Sequence, residues 1–514
     1  MQFLKKTTLR LTVSLLVLLS VTAGMVSVAG AVGGQSHLKS KTAMGVAHYV
    51  ITTPNWHKCD KQFLCTDLPV PLSYSNPGLG SIKISVVEYQ ALNGPGAPDI
   101  FINPGGPGVS GVQFLEADYK QFPLSLRKSF NLISWDPRGV GQSDPVSCLT
   151  TAQQTRSFLA VNPDPSTKKE INQEIQSIKG FVADCVKHTS KALLENISTS
   201  NDVRDLNLLR MDFRQAKLNY LGFSYGTYLG ELYAQMFPHT IRAMTLDGVF
   251  DPDLSTLQLD AAQAAGFESE LNGFFKYCDK NSTCSQGLPG GAASQFRQIM
   301  KQFKNGSTVV GQLLSKYGGN VTVNYAIALL GTIAALYSPK TWPLLGVGLG
   351  DIISNGNGQV LAGLAYSYAG LQLNGNFSNQ YSANIAINCA DRPSFGSLSQ
   401  LEKSVQKLGS KYQDFGASVV WGNLECLYWP VKHQGSPGVI HAPGTPTILL
   451  VGSTGDPATP YQWAKSVANQ LDNAVLLTRV GNGHLGYFVS TCVQGYVDNY
   501  FANLQLPKKN TTCH

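Results

Sequence analysis

Charge is scarce in this sequence of 514 residues: Asp, Glu, Lys and Arg make up 14% of it, against about a quarter in an ordinary globular chain. Hydrophobic residues supply 43%. That balance excludes an intrinsically disordered chain and allows a sizeable buried core. The basic excess is small, +7 overall, and no dense basic stripe occurs, so nucleic acid is not an expected partner. CxxC pairs and histidine clusters are absent, which argues against a zinc site. No glycine-rich loop ends in Lys-Ser/Thr and no dinucleotide glycine spacing is found, so phosphate-cradling chemistry has no support. There is no internal repeat and no low-complexity tract. At roughly 100–200 residues per domain, the length allows two or three domain-sized units.

What is present begins with an export signal over residues 1–31. Lys5, Lys6 and Arg10 precede the apolar run Leu11 to Ala23, and Ala29-Gly30-Ala31 supplies small residues for a peptidase. No later stretch is a membrane helix; Leu329 to Tyr337 is apolar but too short. A secreted, extracellular chain with no membrane contact after signal removal is therefore expected. All 10 cysteines follow the proposed cut, an even number that fits disulfides in an oxidising compartment. Their grouping favours sequential pairing: Cys59 with Cys65, Cys148 with Cys185, Cys278 with Cys284, Cys389 with Cys426, and Cys492 with Cys513. Spacing alone does not fix the connectivity. Asn-x-Ser/Thr sequons stand at Asn196, Asn281, Asn305, Asn320, Asn376 and Asn510, and matter only in a host that glycosylates.

Short apolar runs then alternate with helical patterns. His48 to Thr53, Ser81 to Tyr89, Asp99 to Asn103, Asn131 to Trp135, Leu218 to Gly222, Ala243 to Leu246, Thr447 to Val451 and Ala474 to Thr478 have the character of strands. Continuous apolar strands separated by helices predict an α/β fold with a mostly parallel sheet covered on both faces. Between the last two runs and the others lies a helix-rich stretch. The expected organisation is a first core part over 32–251, an inserted helical cap over 252–430, and a C-terminal core part over 431–514.

The strongest chemical signal is Gly222-Phe223-Ser224-Tyr225-Gly226, a G-x-S-x-G that follows a strand and opens a helix. A serine on such a strained turn is a candidate nucleophile. Its alternative is an ordinary turn serine. A hydroxyl needs a base, and the base needs an orienting acid, in the chain order Ser, Asp or Glu, His. His484 sits in Val480-Gly481-Asn482-Gly483-His484 after the last strand, and is the candidate base rather than a solvated loop histidine. Asp456, in Gly455-Asp456-Pro457, is the preferred acid; Asp247 at the end of an earlier strand is its rival, and a helix N-cap is the plainer reading of Asp456. The oxyanion donors are assigned to the N–H groups of Tyr225 and Gly106, with Gly105 as second choice; Pro107 has no N–H to give. This chemistry calls for no cofactor and no metal.

Together these residues resemble the α/β-hydrolase fold, and more narrowly the secreted tripeptidyl aminopeptidases and their prolyl-aminopeptidase relatives. The resemblance runs through Asn103 to Gly108, Asp136-Pro137-Arg138-Gly139-Val140-Gly141-Gln142-Ser143, the Ser224 turn and Leu246-Asp247-Gly248-Val249. It continues through Cys389-Ala390-Asp391, Cys426 with Trp429-Pro430, and Gly455 to Pro460, and so covers nearly all of the mature chain. It implies a serine exopeptidase acting on peptides with free N-termini, under a cap that limits access to chain ends. The DPRGVGQS segment reads as architectural. Two departures stand out: Tyr225 where prolyl aminopeptidases carry Trp, and Pro104 where they often have His. Glu231, Asp251, Asp391 and Glu425 are candidates for holding the substrate ammonium. The same triad would serve a carboxylesterase or lipase, and a non-catalytic exported binding protein is the alternative outside enzymes. Oligomeric state is left open.

Overall fold

The computed structural model describes residues 50–514 except 61, 95, 436 and 437. The export signal assigned to residues 1–31 lies outside the described residues. Strands β1 (His57–Asp60), β2 (Phe63–Pro71), β3 (Ser81–Tyr89), β4 (Asp99–Asn103), β5 (Asn131–Trp135), β6 (Leu218–Phe223) and β7 (Ile241–Asp247) precede a small antiparallel hairpin, β8 (Val309–Gln312) and β9 (Asn320–Val323). β10 (Ile448–Gly455), β11 (Ala474–Asn482) and β12 (Thr512–Cys513) follow it. All but the hairpin form one sheet in the order β1-β2-β3-β5-β4-β6-β7-β10-β11-β12. The first three strands are antiparallel to their neighbours; from β5 to β12 every pairing is parallel.

Alternation along each central strand explains why the runs read as continuously apolar. Phe101, Ile133, Tyr220, Met244 and Leu450 join the core on one face, whereas Ile100, Ile102, Leu132, Leu221 and Leu449 join the core on the other. Both faces are buried, so neither parity can be polar. The sheet is the mostly parallel, helix-covered α/β-hydrolase arrangement.

Two strand assignments need correction. Val50 to Thr53 is coil, and His48 and Tyr49 lie outside the described residues. The antiparallel strand β2, in contrast, has no place among the apolar runs, because its sequence FLCTDLPVP carries two prolines. Those prolines are tolerated because, among the described strands, β1 pairs only with Phe63 to Cys65 and leaves the Pro69 and Pro71 stretch outside its ladder.

Between β7 and β10 lie the inserted helices, with a core of their own around Phe267, Leu271, Phe274, Phe296, Trp342 and Leu345. The helix Thr256–Lys280 opens it behind a capping box of Ser255 and Gln258. Helix Ala292–Lys304 shows how the stretch folds: Phe296, Ile299, Met300 and Phe303 fall on one buried face. Each such side chain stabilises the cap by about 1.5–3 kcal/mol. A second helical excursion, between β5 and β6, packs on the insertion: Ile175 and Ile178 of helix Lys168–His188 share a cluster with Leu401, Leu408, Val420 and Leu424.

All 10 cysteines are paired, and the five bonds join the sequential partners. Among the described residues no helix is long and apolar enough to cross a membrane. The DPRGVGQS segment is architectural. Asp136 accepts from Ser110 Oγ (2.5 Å) and the Gln142 N–H (2.8 Å), and the fully buried Arg138 pairs with Asp205 at 2.7 Å.

Candidate active site

Ser224 sits between the end of β6 and the helix Tyr225–Met236, with φ 54° and ψ −125°. A non-glycine residue at positive φ costs energy, and here neighbours enforce it. The Ser224 N–H donates to the Asp247 carbonyl at 2.9 Å. Gly222 and Gly226 make the turn possible by size: a Cβ on Gly222 would lie 2.5 Å from the Gly226 oxygen, and one on Gly226 2.7 Å from the Asn103 oxygen. Only hydrogen fits at those two places. The G-x-S-x-G spacing is therefore a packing requirement.

Beside the serine runs the loop after β4. Gly105, at φ +94°, passes so close that a Cβ would meet the Phe223 oxygen at 2.4 Å and Ser224 Cβ at 3.0 Å. Its N–H is already spent on Asn103 Oδ1 at 2.9 Å, so it has none to offer a ligand. The neighbouring N–H of Gly106 meets no acceptor among the described residues. Tyr225 begins its helix, so its N–H has no carbonyl one turn back. Two unengaged donors thus flank Ser224.

His484 is held by both the core and the cap. Its Nδ1 lies 2.9 Å from each Asp456 oxygen, with Asp456 fully buried and His484 nearly so. Asp456 also accepts from the Ala458, Thr459 and Leu485 N–H groups at 3.0, 2.8 and 3.2 Å, and from Thr459 Oγ1 at 3.1 Å. From the cap, the Tyr337 carbonyl accepts the His484 N–H at 2.8 Å and its ring meets the imidazole edge-on, centroids 5.3 Å apart. Among the described residues no hydrogen bond joins the rival Asp247 to the imidazole. It accepts from the Gly486 and Tyr487 N–H groups at 2.8–3.0 Å and so anchors the loop beyond the histidine. Burial pushes its pKa up to about 6, against the pull of those N–H groups.

Nε2 of His484 is buried with no hydrogen-bond partner, and no hydrogen bond joins it to Ser224. The two residues lie on either side of the β7 end. Asp247 holds the Ser224 N–H, and a Cβ on the next residue, Gly248, would come 3.1 Å from His484 Cε1. Apo hydrogen bonds of this kind are often long and tighten when substrate binds.

The four acids considered for an ammonium differ sharply. Asp391 accepts the Thr199 N–H at 2.7 Å and bonds the Thr199 hydroxyl, which in turn meets the Tyr225 hydroxyl; it fastens the Tyr225 side chain. Asp251 takes hydrogen bonds from Gln470 and the Asp253 N–H. Glu231 is fully buried on the helix Tyr225–Met236, and burial raises its pKa well above the carboxylate range. Both Glu231 oxygens lack a hydrogen-bond partner among the described residues, and Glu425 shares that condition in part. Burial, with the Glu174 charge adding to it, lifts the Glu425 pKa to about 8, and one Glu425 oxygen has no partner among the described residues.

Glu174 was not legible as a site residue. It lies in a helix full of polar residues, and only the fold brings it to Glu425. Burial raises its pKa to about 7, and it too has an unpartnered oxygen. Both acids act on the Tyr381 hydroxyl, which burial pushes far above its usual range. Disulfides fix the elements involved: Cys148–Cys185 ties down the Glu174 helix, and Cys389–Cys426 joins the Tyr381 helix to that of Glu425. The Tyr381 helix starts against the oxyanion loop, where a Cβ on Gly108 would meet the Gln380 oxygen at 2.5 Å. Tyr368 adjoins Tyr381, and its hydroxyl lies 3.0 Å from that of Tyr337, the residue packed on His484.

Residues 98–287 match the model of the alpha/beta hydrolase fold, and residues 410–513 match that of a TAP-like protein. The chain is 32% identical over 459 residues to the serine protease Hip1 of Mycobacterium tuberculosis, covering 88% of this chain and 87% of Hip1. It is 29% identical over 489 residues to carboxylesterase B of the same organism, covering 91% of each. It is 24% identical over 473 residues to tripeptidyl aminopeptidase of Streptomyces lividans, covering 89% of this chain and 86% of that one. An elbow serine, two N–H donors beside it that are unengaged among the described residues, and a buried acid–imidazole pair, in a sequence alike over 86–91% of each chain, place it in the α/β-hydrolase family, as a serine hydrolase whose C-terminal part is TAP-like.

Proposed function

We propose that the protein is an exported serine aminopeptidase that releases short peptides, tripeptides foremost, from free N-termini. Ser224 Oγ attacks the scissile carbonyl carbon while its proton passes to His484 Nε2. The resulting oxyanion accepts from the N–H groups of Gly106 and Tyr225. Asp456 keeps the Nδ1–H tautomer and stabilises the imidazolium. The C–N bond then breaks, the leaving amine takes the proton from Nε2, and an ester on Ser224 remains. Water, giving a proton to Nε2, attacks that ester; the C–Oγ bond then breaks, Nε2 returns the proton to Ser224 Oγ, and the N-terminal peptide is freed.

The observation that carries the aminopeptidase reading over an esterase is the Glu174–Glu425 pair. Two largely buried carboxyls, each with an oxygen unpartnered among the described residues, lie close enough for the Glu174 charge to raise Glu425. A substrate ammonium would satisfy both, and Tyr381, Tyr368 and Tyr337 lead from them to the imidazole. Five disulfides in a chain bearing an expected export signal support an extracellular setting.

The test compares a tripeptidyl anilide with its N-acetylated form. An aminopeptidase loses most of its kcat/KM on acetylation; equal turnover of both, with brisk hydrolysis of short acyl esters, would instead make the protein an esterase. Glu425→Gln should raise KM for the free-amine substrate about tenfold and leave an acyl ester unaffected.

A further inference from the structure

One buried acid near the pair is not used by this mechanism. Glu270, on the first cap helix (Thr256–Lys280), is 2% exposed and has an oxygen without a partner. Its position is telling. Gly455 and Gly483 immediately precede Asp456 and His484, and their backbones are joined by the Gly483 N–H to Gly455 oxygen bond at 2.9 Å. Glu270 sits against both: a Cβ on Gly455 would lie 2.9 Å from Oε1, and the Gly483 N–H faces the carboxyl. A polar cleft of about 430 Å³, lined by Ser269, Lys276, Thr454 and Asn482, opens beside it and gives protons a route to solvent.

We propose that Glu270 is a positioning residue through which the cap braces the roots of the acid and histidine loops. The proposal rests on the Asp456–His484 assignment above. The charges around Glu270 come from every side: Asp456 from the β10 loop, Arg479 from β11, Lys276 from its own helix, and His484 beyond Gly483. Burial and then the Asp456 charge push its pKa up to about 8, against the opposing pull of the Gly483 N–H and Arg479. Above that pH a second negative charge, poorly solvated, lies beside Asp456 and strains the brace.

The experiment measures kcat across the alkaline range on a tripeptidyl anilide for wild type, Glu270→Gln and Glu270→Asp. Using kcat matters, because the substrate's own amine titrates near pH 8 and shapes kcat/KM in every variant. Wild-type kcat should fall several-fold above about pH 8, and Glu270→Gln should abolish that alkaline limb while the acidic limb stays in place. Retention of the limb by Glu270→Gln, its absence from wild type, or a uniform loss at all pH values would overturn the proposal. Should the Gln variant not fold, Glu270→Asp decides. It withdraws the carboxyl by one methylene and must move the limb by roughly half a pH unit or more; an unmoved limb overturns the idea. Fluorophosphonate labelling of wild type and Ser224→Ala separates the two levels. Labelling that survives in Ser224→Ala defeats the catalytic assignment itself, whereas labelling confined to wild type, with an unmoved limb, defeats the role of Glu270 alone.

Discussion

The proposed nucleophile and the proposed base are held by different parts of the molecule. Ser224 is held chiefly from the core: the Asp247 carbonyl takes its N–H, and the close glycines of its own turn and Gly105 crowd its backbone. His484 shares its support between core and cap. Asp456 and Thr459 hold Nδ1 from the β10 loop, while Tyr337 and Glu270 reach it or its neighbour from the insertion. The contrast suggests a division of labour in which the core determines where attack occurs and the cap helps determine when the base is in register. Cap substitutions should then lower kcat modestly and core substitutions severely.

The sharpest way to break this comparison is to exchange the two acids. Asp456→Asn should lower kcat about 10⁴-fold, because an amide cannot hold the imidazole in the donating tautomer. Asp247→Asn should keep most activity and lower thermal stability, since it removes an acceptor for the Gly486 and Tyr487 N–H groups. Equal losses of kcat from both variants would undo the assignment of Asp456. Next in size is Gly105→Ala. Its Cβ cannot lie 2.4 Å from the Phe223 oxygen, so the loop must shift and carry Gly106 with it. A loss of about 10²–10³-fold in kcat, the usual effect of disabling one oxyanion donor, is expected. The corresponding cap-side change, Tyr337→Ala, leaves the backbone bond to His484 and removes an edge-on ring contact of about 0.5–1.5 kcal/mol, so kcat should fall no more than about tenfold. A loss as deep as that of Gly105→Ala would erase the distinction between core and cap.

How much of this was legible in the sequence follows the same divide. The parallel strands and the elbow could be read locally: a buried strand is a continuous apolar run, and a serine between close-packed glycines has few other uses. Sequential cysteine pairing was readable because the partners lie near one another in the chain. Strand β2 was hidden by Pro69 and Pro71, whose permission to sit in a sheet depends on where β1 stops. Glu174 and Glu270 were hidden for a deeper reason. On helices of mixed polarity a glutamate reads as a solvated face, and what makes these two notable is burial against residues over 150 positions away. The preference for Gly106 over Gly105 as a donor could be read from the loop, but a physical reason for it, the Asn103 side chain that takes the Gly105 N–H, is contained in no spacing rule.

The smallest expected effect concerns protons in the core and in the cap. Glu88 on β3 and Asp99 on β4 form a buried acid pair far from the serine. Burial lifts Glu88 to about 7, with Asp99 adding to it, and lifts Asp99 to about 6, against hydrogen bonds from Asn131 and Gln215. Such raised values mean that the folded state binds protons more tightly than the unfolded chain. Below about pH 4 both states are protonated and the contribution to stability is complete; as pH climbs through 4 to 7 the unfolded chain ionises first and the contribution is lost. Glu88→Gln should therefore flatten the fall of Tm over that interval relative to wild type, by a few degrees at its upper end, without changing kcat or KM. Glu425→Gln in the cap should flatten it too, since Glu425 is likewise raised, but should also raise KM for a free-amine substrate. If both variants alter only Tm, the cap acids are ordinary buried carboxyls like those of the core. If only the cap variant also alters KM, the same physics has been put to two uses in the two regions.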